Sequence, residues 1–157
     1  MLRLRKIGHR LMKAPIVQRQ FVIEASQQRV WDLLGRTIYR CLPLEKMNIV
    51  NETTAYAVLR WRLGFISLPL NLKLELVDIS PPSLLGSKIW VKKRAIQLAS
   101  LKVEFTLRPI DKDKTEVICT GMEEDRGTIA GWLVRGQQRS FAEDMFDSIK
   151  ARLEQFC

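Results

Sequence analysis

The stretch from Gly127 to Cys157 constrains this chain more than any other. Apolar side chains recur there at helical spacing: Ile129, Trp132 and Leu133, then Phe141, Ala142, Met145, Phe146, Ile149, Leu153 and Phe156. The opposite face carries Arg139–Glu143 and Lys150–Glu154, two opposite-charge pairs spaced four apart. Such a helix is a rod about 40 Å long, too long to bury its stripe on one other helix of a small domain. A broad apolar surface must cover it, and upstream the sequence offers mainly strands. Gly136, near its middle, costs about 1 kcal/mol relative to alanine and leaves room for another surface or a ligand to approach closely.

The clearest strand is Ser67–Leu76, where Leu68, Leu70, Leu72, Leu74 and Leu76 alternate with Ser67, Pro69, Asn71, Lys73 and Glu75. This is the pattern of an antiparallel strand with one wet face. Pro69 cannot donate to a ladder, so its end is predicted to lie at an edge or a bulge. Strand period starts from Met47 onward, and in Ala55–Arg62 the residues Ala55, Ala57, Leu59 and Trp61 share a face. Pro81-Pro82 breaks the chain; in Ser87–Lys93, Ile89 and Val91 then face inward and Lys88, Trp90 and Lys92 outward. Ile96 and Leu98 change parity to Leu101, Val103, Phe105 and Leu107, which predicts a bulge near Ala99-Ser100. Asp111–Lys114 reads as a hairpin loop and Thr115–Met122 as the last strand. Ahead of the meander, Phe21–Glu24 reads as a short strand. Ser26 can cap a short helix carrying Val30, Trp31, Leu33 and Leu34, and a second turn is predicted over Ile38–Leu42 before Pro43. The order of strand, two short helices, six strands in meander and one long helix predicts an α+β fold.

A chain of 157 residues is most simply one domain, here 18–157, behind a basic segment of residues 1–17. In that segment Leu4, Ile7 and Leu11 share a helical face, while Arg3, Arg5, Lys6, Arg10 and Lys13 occupy the others. A basic amphipathic segment can lie on an anionic membrane. The plainer readings are a solvated or partner-packed tail, or a start at Met12; an acid-free, Arg-rich beginning also resembles an organelle transit peptide. The net charge of +9 suits anionic partners, yet much of it sits in this segment. No apolar run reaches the length of a membrane span and no secretory signal is visible. Cys41, Cys119 and Cys157 are odd in number and far apart, and His9 is the single histidine. They form neither a disulfide framework nor a metal-ligand spacing, so no metal and no cofactor is expected, and the expected compartment is the cytoplasm, with peripheral membrane contact as an option.

The string CLPLEKMNIVNETTAYAVLRWRLGFISLPLNLKLELVDISPP resembles the G-subunit-like proteins of carbon monoxide dehydrogenase. These belong to the START/polyketide-cyclase-like (SRPBCC) superfamily of helix-grip folds. The residues that carry the resemblance are Ser26, Val30 and Trp31, Cys41–Pro43, Leu63–Ile66, and a terminal helix with Gly127 and Gly131 at its start and Gly136 inside. It covers roughly residues 19–156. It implies a seven-stranded antiparallel sheet curved around the C-terminal helix, with an apolar cavity between them. Members bind lipids, quinones, polyketides or other hydrophobic molecules. The carbon monoxide dehydrogenase branch is associated with molybdenum hydroxylases, which implies a redox-enzyme partner. The chain departs from the pattern in a shortened segment between Gly35 and Cys41, in lacking the usual C-terminal hydrophobic anchor, and in its basic extension.

Catalysis needs inward titratable groups, and the sequence shows no phosphate loop and no nucleophile beside an evident base. Glu123-Glu124-Asp125 can flank a cavity mouth or simply stabilise the start of the long helix. Cys119 reads as a small hydrophobe. The expected function is therefore non-catalytic binding of a hydrophobic small molecule, with a cyclase/dehydratase-type enzyme in the same cavity as the alternative. The expected lining is Leu59, Trp61, Leu70, Leu72, Leu74, Ile89, Val91, Val103 and Phe105 from the sheet, and Trp132, Phe141 and Met145 from the helix. Arg3, Arg5, Lys6, Arg10, Lys13 and an outward Trp90 are the expected membrane or partner contacts; Trp90 turned inward by a bulge is the competing reading. Basic residues beside aromatics, as in Arg60-Trp61-Arg62, can also stack on nucleic acid, but no nucleic-acid module fits and that partner is not expected.

Overall fold

In the computed structural model of the chain, residues 15–38, 44–63, 65–94, 96–125 and 129–157 are described. At 15–16, 44, 61–63, 66, 68, 98–99, 124–125 and 129–138 only the backbone is described. The elements are β1 (Pro15–Ile23), α1 (Gln27–Thr37), β2 (Leu44–Ile49), β3 (Thr54–Leu63), β4 (Ile66–Ser80), β5 (Leu84–Lys93), β6 (Ile96–Asp111), β7 (Lys114–Asp125) and α2 (Ile129–Phe156). The strands form one antiparallel sheet in the order β1-β7-β6-β5-β4-β3-β2. The meander β2–β7 is sequential, and β1 returns to close the far side against β7. This is the α+β arrangement that the order of periodicities predicts.

The sheet follows from period-2 patterning. Pairing of Ala57 with Leu72, and of Leu72 with Val91, aligns the apolar residues of β3, β4 and β5 on one face. Asn71, Lys73, Lys88, Trp90 and Lys92 fall on the other. Pairing with β5 begins at Asn71↔Lys92, so Pro69 lies on the part of β4 that runs past its neighbour, where a missing N–H costs least. The parity change in β6 occurs one or two residues earlier than the pattern placed it: Val91 pairs with Ala99 and Lys92 with Gln97, leaving Leu98 as the extra residue.

Two expectations about β1 and its sequel are corrected. β1 starts at Pro15 and not at Phe21, so residues 15–17 belong to the sheet, where Val17 is buried against Gly121. One described helix, not two, lies between β1 and β2; residues 39–43, where most of the second turn was expected, lie outside the described residues. α1 is capped as predicted, with the Ser26 hydroxyl accepting from the Arg29 N–H at 3.3 Å. Val30 and Leu34 are its fully buried face.

The described half of α2 packs on β1, β6 and β7, and its last turns meet α1. Ala142, Met145, Phe146, Ile149 and Leu153 are its buried stripe, as the spacing predicts. Phe146 meets Phe105 edge-to-face with ring centroids 5.6 Å apart. A Cβ added at Gly121 would fall 2.8 Å from Val17 Cγ1 and 3.3 Å from Ala142 Cβ, so the missing side chain is what lets α2 sit this close to β7. Arg139 and Glu143 form the expected pair at 3.5 Å, whereas Lys150 Nζ lies 5.9 Å from the Phe21 ring. The α1 end of the sheet holds α1, the β6–β7 turn and the C-terminus of α2. The opposite end carries the tips of the β3–β4 and β5–β6 hairpins and the start of α2.

Candidate functional site

The face of the sheet turned toward α2 is a wall of aligned rows. One row runs through Ile49, Ala55, Leu74, Ile89, Leu101 and Glu123, and the next toward the hairpin tips holds Met47, Ala57, Leu72 and Val91. Of the predicted lining residues, Leu70, Leu72, Leu74, Ile89, Val103, Phe105 and Met145 are buried on this wall or on the helix above it. Leu59, Val91 and Phe141 are half-buried and pack on the same core, joined by Met47, which sequence reasoning did not single out. The side chains of Trp61 and Trp132 lie outside the described residues, as do Arg3, Arg5, Lys6, Arg10 and Lys13.

Burial divides the wall. Ala55, Leu74, Ile89, Val103 and Phe105 expose no surface, so neighbouring side chains already fill the space in front of them. Apolar surface remains uncovered at Met47, Leu59 and Val91, on the hairpin-tip side of that row. An open depression of about 610 Å³ lies at β2, β3 and β4; Lys46, Asn48, Tyr56, Val58 and Asn71 border it from the outer parity, and of the inner row Met47, Ala57 and Leu72 meet it.

The polar groups of the wall are few. The Ser87 hydroxyl is buried with no hydrogen-bond partner, between Leu76 and Val103 in its row. Burial pushes the Cys119 thiol up to about 12, against a weak opposing pull from Arg19, so it is neutral and unreactive at ordinary pH. Arg19 shares the inner parity of β1 and reaches across to α2, 2.7 Å from Glu143 and 3.6 Å from Asp147. The hydrogen bond it donates to Glu143, with the charge of Asp147, holds its guanidinium further toward the charged form. Glu123 pairs with Leu101, which puts it on the inner parity, half-buried, just before α2 begins. Ser87 shares parity with Ile89 and Val91 and was legible by that signal. Arg19 was not, because its partners are 124 and more residues away. Among the described residues no group of three or more His, Cys, Asp or Glu could hold a metal, and no helix is long and apolar enough to cross a membrane.

On the outer face Trp90 lies between two cations, with Lys73 Nζ 4.9 Å and Lys88 Nζ 5.1 Å from its ring centroid. The outward reading of Trp90 is the one the structure adopts.

No protein-family model and no curated protein matches this sequence. Solved structures match its fold. A conserved protein from Geobacillus kaustophilus is 17% identical, with 88% of this chain and 94% of that one covered at a TM-score of 0.67. A START superfamily protein from Mycobacterium smegmatis is 11% identical over 90% and 98% of the two chains, at 0.61. The Zhui aromatase/cyclase from Streptomyces sp. R1128 is 14% identical over 88% and 93%, at 0.57. The chain therefore has the START/polyketide-cyclase-like (SRPBCC) fold, a large antiparallel sheet with a C-terminal helix; at such identities the likeness extends to fold alone.

Proposed function

We propose that this protein binds a hydrophobic small molecule, lipid- or quinone-like, between the sheet and α2, and carries it without turning it over. The observation that supports this is the division of the inner wall: a filled apolar floor under Leu74, Ile89 and Phe105, and uncovered apolar surface at Met47, Leu59 and Val91. A molecule covering that surface gains about 25 cal/mol for each Å² it removes from water, and finds few hydrogen-bonding groups to demand a polar skeleton. An accessory role beside a redox enzyme, as in the carbon monoxide dehydrogenase branch, is the finer form of this reading and rests on the sequence resemblance alone. A fluorescent lipophile such as a dansylated fatty acid should bind at micromolar concentration. Leu59→Trp, which starts from uncovered surface of this wall, should block it without loss of stability. No binding, together with destabilisation of about 1–3 kcal/mol by Leu59→Trp, would show a solid interior and end the carrier reading.

Glu123 favours one second reading. A half-buried carboxylate on the inner parity is the kind of group a cyclase or dehydratase needs as acid or base. If Glu123→Gln still binds the lipophile but loses about a hundredfold in turnover of a polyketide-type substrate, the enzyme reading takes first place.

A further inference from the structure

Phe65, in the turn between β3 and β4, is 99% exposed. Most of the other large apolar residues with more than marginal exposure, Ile49 and Val50 among them, lie at the α1 end or scattered singly, as is ordinary for any surface. Phe65 differs by its position. Asn71 pairs with Lys92, so Leu70 is level with Lys93, and Ile66 lies four residues further out, about 13 Å. The β3–β4 hairpin thus projects beyond its neighbour with a phenylalanine at its end. The neighbouring tip, where β5 turns into β6, holds Lys92, Lys93, Arg94 and a 56% exposed Ile96. Arg94 has a φ of 57°, a left-handed conformation that glycine or asparagine takes more readily; this turn keeps a cation there instead.

The charge carried by these two hairpins toward their tips is of one sign. From Ala55 to Leu74 the sequence contains Arg60, Arg62 and Lys73 and no acid; from Leu84 to Val103 it contains Lys88, Lys92, Lys93, Arg94 and Lys102 and no acid. Lys102 is paired with Asp78 and Glu104 behind the tips, and Arg60, level with the β5–β6 tip, with Glu45 at the start of β2. The other acids of this end, Glu123 to Asp125, finish β7, two strands away from β5. β1 also starts at this end, since Pro15 pairs with Met122, so the acid-free residues 1–14 with their five Lys and Arg join the molecule there.

We propose that the two hairpin tips are a docking surface for an anionic phospholipid bilayer, with Phe65 and Ile96 entering the headgroup–acyl boundary and Lys92, Lys93 and Arg94 resting on lipid phosphates. An exposed aromatic on the projecting tip and an exposed aliphatic on the shorter tip beside it, with cations next to them, match the two demands of an anionic interface: apolar area to insert and positive charge to hold. Single-stranded nucleic acid would use the cations and stack on Phe65, but it would leave the exposed aliphatic Ile96 without a role. The docking reading stands whether or not the interior carries a ligand.

Co-sedimentation of the full chain with vesicles of phosphatidylcholine alone, and of phosphatidylcholine with 30% phosphatidylglycerol, tests it. Binding should need the anionic lipid and should fall steeply between low and physiological salt. Phe65→Asp with Ile96→Asp should reduce binding at least tenfold while leaving the melting temperature and the binding of the dansylated fatty acid unchanged. Lys92→Ser with Lys93→Ser should reduce it comparably. Substituting Gln for Arg3, Arg5, Lys6, Arg10 and Lys13 in the full chain separates the extension from the tips. Loss of binding in that variant, with full binding by the Phe65/Ile96 double variant, would overturn the proposal in favour of the extension. It would also fail if neither vesicle binds, if a labelled single-stranded oligonucleotide binds in their place, or if Phe65→Asp instead abolishes self-association of the chain.

Discussion

A thiol with no water around it behaves as a small apolar group, and Cys119, opposite Phe105, is so placed. Its folded pKa of about 12 lies above the ordinary thiol value of 9.0. Below about pH 9 both folded and unfolded states hold the proton, and the group has no effect on the equilibrium. Above that value the unfolded state releases its proton first, so stability falls as pH rises toward 12, by at most about 1.4 kcal/mol per pH unit. Urea unfolding at pH 8, 9.5 and 10.5 should show a smaller alkaline loss in Cys119→Ala than in the wild type; parallel declines would mean that the thiol is not shielded. At this scale the sequence tells which way a side chain points and not what stands in front of it. Leu59 and Leu72 both have the inner parity of their strands, yet one is half-buried and the other 2% exposed. The difference comes from α2 and the strand edges, which alternation does not encode.

Elements are joined by a few buried polar contacts. The Thr115 hydroxyl, fully buried at the start of β7, donates to the Ala25 carbonyl at 2.8 Å, between β1 and α1. Gln27 Nε2 donates to the Leu107 carbonyl at 3.0 Å beside it. Thr115→Val keeps the shape and removes the donor, which leaves a carbonyl without its partner. The expected cost is about 1–3 kcal/mol in chemical denaturation, and a change below a few tenths would show that the carbonyl finds another donor. The long alternating run of β4 and the 3.6-residue stripe of α2 were legible because each meets one uniform environment along its length. β1 was legible only from Phe21, because the polar run Gln18-Arg19-Gln20 has no apolar alternation; Arg19 satisfies its charge on α2, a partner only the fold supplies. The bulge at Leu98 was visible as a change of parity but not to the residue, since either side of a bulge satisfies the pattern.

The molecule as a whole has a filled end and a less filled one. Phe105→Ala, at the filled end, should cost about 3–5 kcal/mol. Leu59→Ala, on the tip side, should cost far less than the 2–5 kcal/mol typical of a buried leucine, because part of its surface is already in water. Equal costs in urea unfolding would mean that both ends are packed alike, and would count against a ligand space near Leu59. The seam between β1 and β7 has a consequence of a different kind. Val17 lies beside Gly121, so the first strand of the sheet waits for the last. On a ribosome, the meander from β2 to β6 can pair as it emerges, each hairpin with its predecessor. Its apolar wall has no lid until α2 has been made, and β1 has no neighbour until β7 has. The pieces that complete the sheet and cover it thus come last in the chain, so neither the β1 edge nor the apolar wall can be closed before residues 114–156 have been made.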